Sequence, residues 1–271
     1  MTSEIIADPE LDPTATYAVD PARARRYAGR VVASPTAQTF TRTSPMTGAP
    51  IATLPVSTEA DVERAFASAR AAQPRWAATS HAQRRRIFRR FHDLVLSHQV
   101  ELLDLVQIES GKVRKQAFEE VLDTALAARY YGRTAESHLR PRKVAGAYPL
   151  LTQTRVHHRP KGVVGIVSPW NYPLSLAITD ALPALMAGNA VVLRPDEKSS
   201  FTCLRAVELC DEAGLPEGVL ACFPGGAEVG AALVAHPLCA GVAFTGSTRS
   251  ARRIQRTLAE DLADGRVRAI V

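Results

Sequence analysis

Three short stretches of this 271-residue sequence gather side chains that could do chemistry. The first is Ser168-Pro169-Trp170-Asn171-Tyr172-Pro173. Two prolines fix its backbone and hold one amide, Asn171, just beyond an apolar run. Such an amide either closes a structural Asx turn or donates to a ligand oxygen. The second is Arg194-Pro195-Asp196-Glu197, a cation beside two carboxylates. That set suits a ribose or phosphate, and suits equally the capping of the helical pattern after it. The third is Phe244-Thr245-Gly246-Ser247-Thr248, where a glycine and hydroxyls at a helix start let backbone N–H groups approach an anion. Familiar phosphate signatures are absent: there is no G-x-G-x-x-G, and Gly225 to Gly230 has P-loop spacing but is followed by Ala231. Cys203, Cys210, Cys222 and Cys239 form no C-x-x-C pair and have no His at ligand spacing, so no metal site is expected. They read as four reduced, buried thiols of a cytoplasmic protein.

The elements that must position these turns follow from periodicity. Past Pro160, apolar runs without polar alternation (162–167, 190–193, 219–223, 241–244 and 269–271) alternate with helical patterns at 174–187, 200–213, 228–236 and 247–262. Strands buried on both faces and separated by helices make a doubly wound α/β fold with a parallel sheet. Ligands of such sheets bind beyond the carboxyl ends of the strands, where all three turns fall. Upstream, residues 40–56 read as a hairpin turning at Gly48. Ser57 or Thr58 then caps a helical region that runs to about Arg133, with breaks near Gln73-Pro74 and Ser110-Gly111. Residues 1–36 hold few large apolar side chains and read as a mobile arm, and 152–158 alternate like an exposed strand.

Composition narrows the class. At 46% hydrophobic and 22% charged, with no apolar run long enough to span a bilayer, a transmembrane protein is excluded, as are collagen, a coiled coil and a disulfide scaffold. The length suits one large domain or two small ones. The N-terminus has no apolar signal core and already carries Glu4, Asp8 and Glu10. The net charge of +6 invites a nucleic-acid reading. However, Arg84, Arg85, Arg86, Arg89 and Arg90 fall opposite an apolar stripe of Ile87, Phe88, Phe91, Leu94 and Val95, as a solvated helix face would, and no nucleic-acid motif accompanies them.

Taken in order, Pro160-Lys-Gly-Val-Val-Gly, Pro169-Trp-Asn-Tyr-Pro, 183–195, Ala213-Gly-Leu-Pro-Glu-Gly-Val and Phe244-Thr-Gly-Ser-Thr closely resemble the aldehyde dehydrogenase superfamily. Ser44-Pro-Met-Thr-Gly and Glu109-Ser-Gly-Lys add to the resemblance, which covers about residues 37–262. It implies a Rossmann-like cofactor domain over 37–271 behind a helical N-terminal region, an oligomerisation strand segment at 141–160, and NAD as cofactor with NADP possible. It implies that Asn171 is the side-chain half of an oxyanion hole. Val167, Ser168, Pro169, Trp170, Gly230 and Phe244 would contact the cofactor, and Gly246 and Ser247 its pyrophosphate. Arg194, where the family usually has Lys, and Glu197 would contact the adenosine ribose. A carboxylate there repels a 2′-phosphate and favours NAD, although the guanidinium partly offsets it. Ala251 departs from the glycine that most members carry.

The family's reaction needs a Cys thiolate to attack the aldehyde as a thiohemiacetal, the Asn for the oxyanion, and a Glu base to activate water after hydride transfer. Its Glu-x-Gly-Gly and Gly-Gln-x-Cys motifs do not occur in these residues, so the catalytic domain is expected to be absent and the chain inactive alone. The alternative is a non-catalytic cofactor-domain remnant. Residues 168–196 most resemble the bacterial succinate-semialdehyde dehydrogenase branch, and 252–271 the glutamate-semialdehyde modules of proline catabolism. Both imply a small carboxylated aldehyde as partner and a homo-oligomer at full length, with no nucleic acid and no membrane.

Overall fold

The structure, a computed structural model, describes residues 5–148, 151–263 and 269–270. Helix α1 (Pro21–Ala28) precedes an antiparallel pair, β1 (Thr39–Thr43) and β2 (Pro50–Pro55), which turns at Gly48 as expected. Four helices follow: α2 (Glu59–Ala77), α3 (His81–Ser97), α4 (Gln99–Ser110) and α5 (Arg114–Leu139). A short ribbon pairs β3 (Arg142–Val144) with β4 (Thr154–Val156) inside the expected strand segment. Then come β5 (Val163–Val167), α6 (Ser175–Met186), β6 (Ala190–Arg194), α7 (Ser200–Ala213), β7 (Leu220–Cys222), α8 (Ala227–Ala235), β8 (Cys239–Phe244), α9 (Thr248–Ala263) and β9 (Ala269–Ile270).

The last five strands form one parallel sheet in the order β7-β6-β5-β8-β9. The doubly wound fold read from the sequence is the one found. Its strands lack polar alternation because each face meets its own core. Along β6, Ala190 and Val192 point into a cluster with α2, α8 and α9, while Val191 and Leu193 point into a larger one with α6 and α7. Strand order reverses at β5, whose neighbours are β6 on one side and β8 on the other, so a crevice opens at its carboxyl end. Gly165 in β5 serves this geometry: a Cβ there would overlap the Leu233 side chain and sit 3.1 Å from Cys239 Sγ, so glycine lets α8 press onto the strand.

Three expectations change. The arm over 1–36 is packed rather than free from residue 5 onward; residues 1–4 lie outside the described residues. Tyr27 and Ala24 of α1 are buried, Arg26 Nε donates to Glu208 Oε1 at 2.7 Å, and Thr16 Oγ1 donates to Asp104 Oδ2 at 2.6 Å. Few apolar residues sufficed because ion pairs supply the rest. The break at Gln73-Pro74 is absent: α2 continues to Ala77, held by Gln73 Nε2 on Gly188 O (3.0 Å) and Trp76 Nε1 on Leu185 O (2.9 Å). Finally, Arg84 is not on the solvated face. It is buried, and its Nη1 donates to the main-chain oxygens that close α2, including Thr79 O at 2.8 Å. The break at Ser110-Gly111 stands, with Gly111 ending α4 at φ +75°. Among the described residues no helix is long and apolar enough to cross a membrane.

Candidate cofactor and active site

The carboxyl ends of β5, β6 and β8 open onto one cleft of about 730 Å3, whose other wall is α8 and α9. All three turns picked out in the sequence reach it. Each is set by an extension of the sheet ladder: Ser168 N–H donates to Arg194 O at 3.1 Å, and Thr245 N–H to Val167 O at 3.3 Å. From the first turn come Val167, Ser168, Pro169 and Trp170. Ser168 is 2% exposed, and its hydroxyl has no hydrogen-bond partner among the described residues. A buried hydroxyl left unpaired at the rim of a cleft is costly unless something entering the cleft meets it.

The second turn supplies Arg194 and Asp196. Arg194 Nε donates to Gly225 O at 2.8 Å, so its guanidinium braces the loop that leads into α8. Burial pushes the Arg194 pKa down, against the charges of Asp196, Glu197 and Glu228. Asp196 caps its own turn, accepting from Lys198 N–H at 3.0 Å, and Lys198 Nζ lies 5.3 Å over the Trp170 ring. Glu197 is half-buried and does not line the cleft.

From the far side come Gly230 and the third turn. A Cβ on Gly246 would lie 2.6 Å from Phe244 Cζ, so only glycine lets that ring fold over the turn. Ser247 Oγ accepts from Ser250 N–H at 3.2 Å and thereby caps α9. A Cβ on Gly230 would rest in ordinary contact with Arg194.

Asn171 stands apart. It is exposed and outside the lining, and its amide makes no hydrogen bond among the described residues. Its main-chain oxygen accepts from Lys112 Nζ at 2.7 Å. The same ammonium pairs with Glu120 Oε1 and lies 4.1 Å from the Tyr172 ring centre. Glu120 Oε2 in turn accepts from the N–H groups of Leu174 (2.9 Å) and Ser175 (3.2 Å), which start α6. Burial raises the Glu120 pKa, and Lys112 works against that. Glu109 does the same service for α7, accepting from Phe201 N–H (2.8 Å), Thr202 N–H (2.7 Å) and Thr202 Oγ1 (2.6 Å). The stretch Glu109-Ser-Gly-Lys112 therefore ties both helices, and the loop between β5 and α6, to the helical layer.

Sequence reasoning missed these roles of Glu109, Lys112 and Glu120, and missed Glu228, Arg253 and Arg256, which also line the cleft. The two arginines lie three residues apart on an amphipathic helix, a spacing that shares one face and could have been read. The four cysteines are buried, form no disulfide among the described residues and lie outside the cleft lining. Cys203 and Cys222 face each other with sulfurs 3.8 Å apart, a contact that together with burial pushes the Cys203 thiol pKa up.

Residues 32–267 match the model of the aldehyde dehydrogenase family. The chain belongs to that family. An aldehyde dehydrogenase relative from Mycolicibacterium smegmatis, named a "putative succinate-semialdehyde dehydrogenase" for NADP(+), is 49% identical over 215 residues, 79% of this chain and 40% of the relative. Among solved structures, an NAD-dependent benzaldehyde dehydrogenase from Corynebacterium glutamicum superposes with a TM-score of 0.82 at 31% identity, covering 90% of this chain and 52% of that one. Proline utilization A matches at 34% identity with a TM-score of 0.75, over 80% of this chain and 22% of that one. The chain thus spans about 40% of the length of the curated aldehyde dehydrogenase relatives it matches.

Proposed function

We propose that this chain is the dinucleotide-binding part of an aldehyde dehydrogenase that oxidises a short semialdehyde carrying a carboxylate, with succinate semialdehyde as the first choice. One observation carries the cofactor half of this reading. Val167, Ser168, Pro169, Trp170, Arg194, Gly230, Phe244, Gly246 and Ser247, scattered over 81 positions of sequence, converge on a single cleft at the switch point of the sheet. A nicotinamide dinucleotide fits the residues present. The unpaired Ser168 hydroxyl can meet a polar group of the ligand, Gly230 and Gly246 keep the walls close to backbone, and Arg194 supplies charge. When bound, the cofactor accepts hydride. The protein's part is to hold it against β5, β6 and β8 and to present Asn171 from a loop fixed by Lys112 and Glu120. The name of the M. smegmatis relative supports the substrate choice. A glutamate semialdehyde is the second reading, supported by the likeness to proline utilization A. The exposed ribbon of β3 and β4 offers unpaired edges and would serve assembly of the full-length enzyme.

Oxidation by this family's chemistry needs a thiolate, and the cysteines here are poorly suited to supply one. Burial pushes the Cys210 thiol well above its ordinary pKa and contributes, with the Cys222 contact, to the same shift at Cys203. The 271 residues are therefore proposed to bind the dinucleotide and to oxidise nothing by themselves. Calorimetric titration of the purified chain with NAD and NADP tests this, with saturable binding expected at one site. Absence of binding to both would overturn the reading. Aldehyde-dependent NADH or NADPH production by the chain alone would overturn its inertness.

A further inference from the structure

The charges of the cleft differ from those expected of its second turn. Glu197, the carboxylate that would repel a 2′-phosphate, does not line it. Arg253 and Arg256 of α9 do, three residues apart, in the same lining as Arg194 and as Gly230 and Ala231 of α8. Three guanidiniums thus meet two carboxylates, Asp196 and Glu228, in the lining. Arg194 is already committed to Gly225 O. Arg253 and Arg256 are exposed, and no carboxylate among the described residues pairs with either. Elsewhere the chain matches such groups closely: Arg114 holds Asp12 and Asp104, and Arg205 holds Glu101, Glu208 and Glu212. Two like charges one helical turn apart repel each other, so this pair carries a small standing cost that an anion would relieve.

The surface beneath them is of another kind. Val234 of α8 and Ile254 of α9 are buried, and with Gly230 and Ala231 they give the cleft an apolar stretch of lining with little side-chain bulk. Apolar lining of that character suits a flat ring, and the same cleft carries the two guanidiniums. We propose that Arg253 and Arg256 select the 2′-phosphorylated dinucleotide, NADP, over NAD. The inference rests on the dinucleotide reading given above. NAD and NADP differ by one phosphate monoester on the sugar next to the adenine ring, a group of charge near −2 in place of a neutral hydroxyl. Paired guanidiniums bind such a group through charge-assisted, forked hydrogen bonds. A hydroxyl gains little from them, so the choice is made by these two side chains.

Calorimetry on the full chain decides it, with NADP against NAD, and 2′,5′-ADP against 5′-AMP as shorter probes. Wild type should bind the 2′-phosphorylated partner of each pair about tenfold more tightly or better, with the gap narrowing as salt is raised. Arg253→Ala/Arg256→Ala should bring both ratios close to one, and Arg253→Lys/Arg256→Lys should keep part of the gap, since charge survives without the fork. Both side chains are exposed, so the variants should melt as wild type does. Equal affinity in wild type, preference for NAD, or a ratio unmoved in the Ala variant would each overturn the inference alone. So would a Glu197→Gln variant that raises NADP affinity while the arginine variants change nothing. Failure of wild type to bind any of the four probes would overturn the cofactor reading itself, and this inference with it.

Discussion

Glu109 is a carboxylate that pairs with no cation among the described residues, although Arg42 bonds its main-chain oxygen, and three donors from the first turn of α7 hold it wholly inside the protein. Burial pushes its pKa up to about 7, and the bonds from Thr202 and Phe201 recover only part of that cost. In the unfolded chain a Glu titrates near about 4.3. The folded pKa is the higher of the two, so the folded state binds more protons between these values. The contribution is therefore full below about pH 4 and is lost as pH rises through 7. Glu109→Gln should flatten the fall in stability between about pH 5 and 7 while costing on the order of 1 kcal/mol at the acid end. Urea unfolding of both proteins across that range checks it; parallel slopes would remove Glu109 as their source. The neighbouring motif residues were legible in the sequence as a family mark. Their work was not, because the donors they meet lie some 90 positions away in α7.

At the scale of elements, the sheet and its helices could be read almost strand by strand, since a short, uninterrupted run of Val, Ile and Leu between turn residues suits a strand covered on both faces and little else. The helix over 200–213 was placed to the residue. What could not be read was how the helical layer grips the sheet. Lys112, at the start of the α4–α5 corner, reaches a carboxylate of α5, a carbonyl of the loop after β5 and the Tyr172 ring together. Glu120 is fully buried beneath it, so removing the ammonium leaves an uncompensated charge. Lys112→Met should cost about 3 kcal/mol and loosen the Trp170–Asn171 turn. Denaturant midpoints report the first effect, and the hydrogen-exchange rate of the Leu174 and Ser175 amides reports the second. A variant as stable as wild type with unchanged exchange would show that the lysine is ornamental. Proline misled the reading at Pro74 because local rules price the lost N–H bond, while tertiary bonds from Gln73 and Trp76 outweighed it.

At the scale of the whole molecule, part of the basic composition turns out to be internal docking charge. Arg26 and Arg30 share Glu208, and Arg23 reaches Glu101, so much of the leader's charge is spent on docking it. Tyr27 is fully buried under that docking, and its hydroxyl donates to the Glu101 carboxylate. Deleting residues 1–30 should therefore cost at least about 3 kcal/mol, seen as a lower urea midpoint, because it empties an aromatic socket as well as breaking ion pairs. An unchanged midpoint would restore the mobile arm expected from composition. The docking also sets an order of events in synthesis. Arg26 and its partner Glu208 are 182 residues apart, so the arm leaves the ribosome roughly 10–40 s before the helix it needs has been made. Through that interval α1 has its contacts with β2 and Glu101 to close on, but the α7 side of its docking site is missing. The segment made early is among the parts of the fold that must close late, and it is where a chaperone would find this chain first.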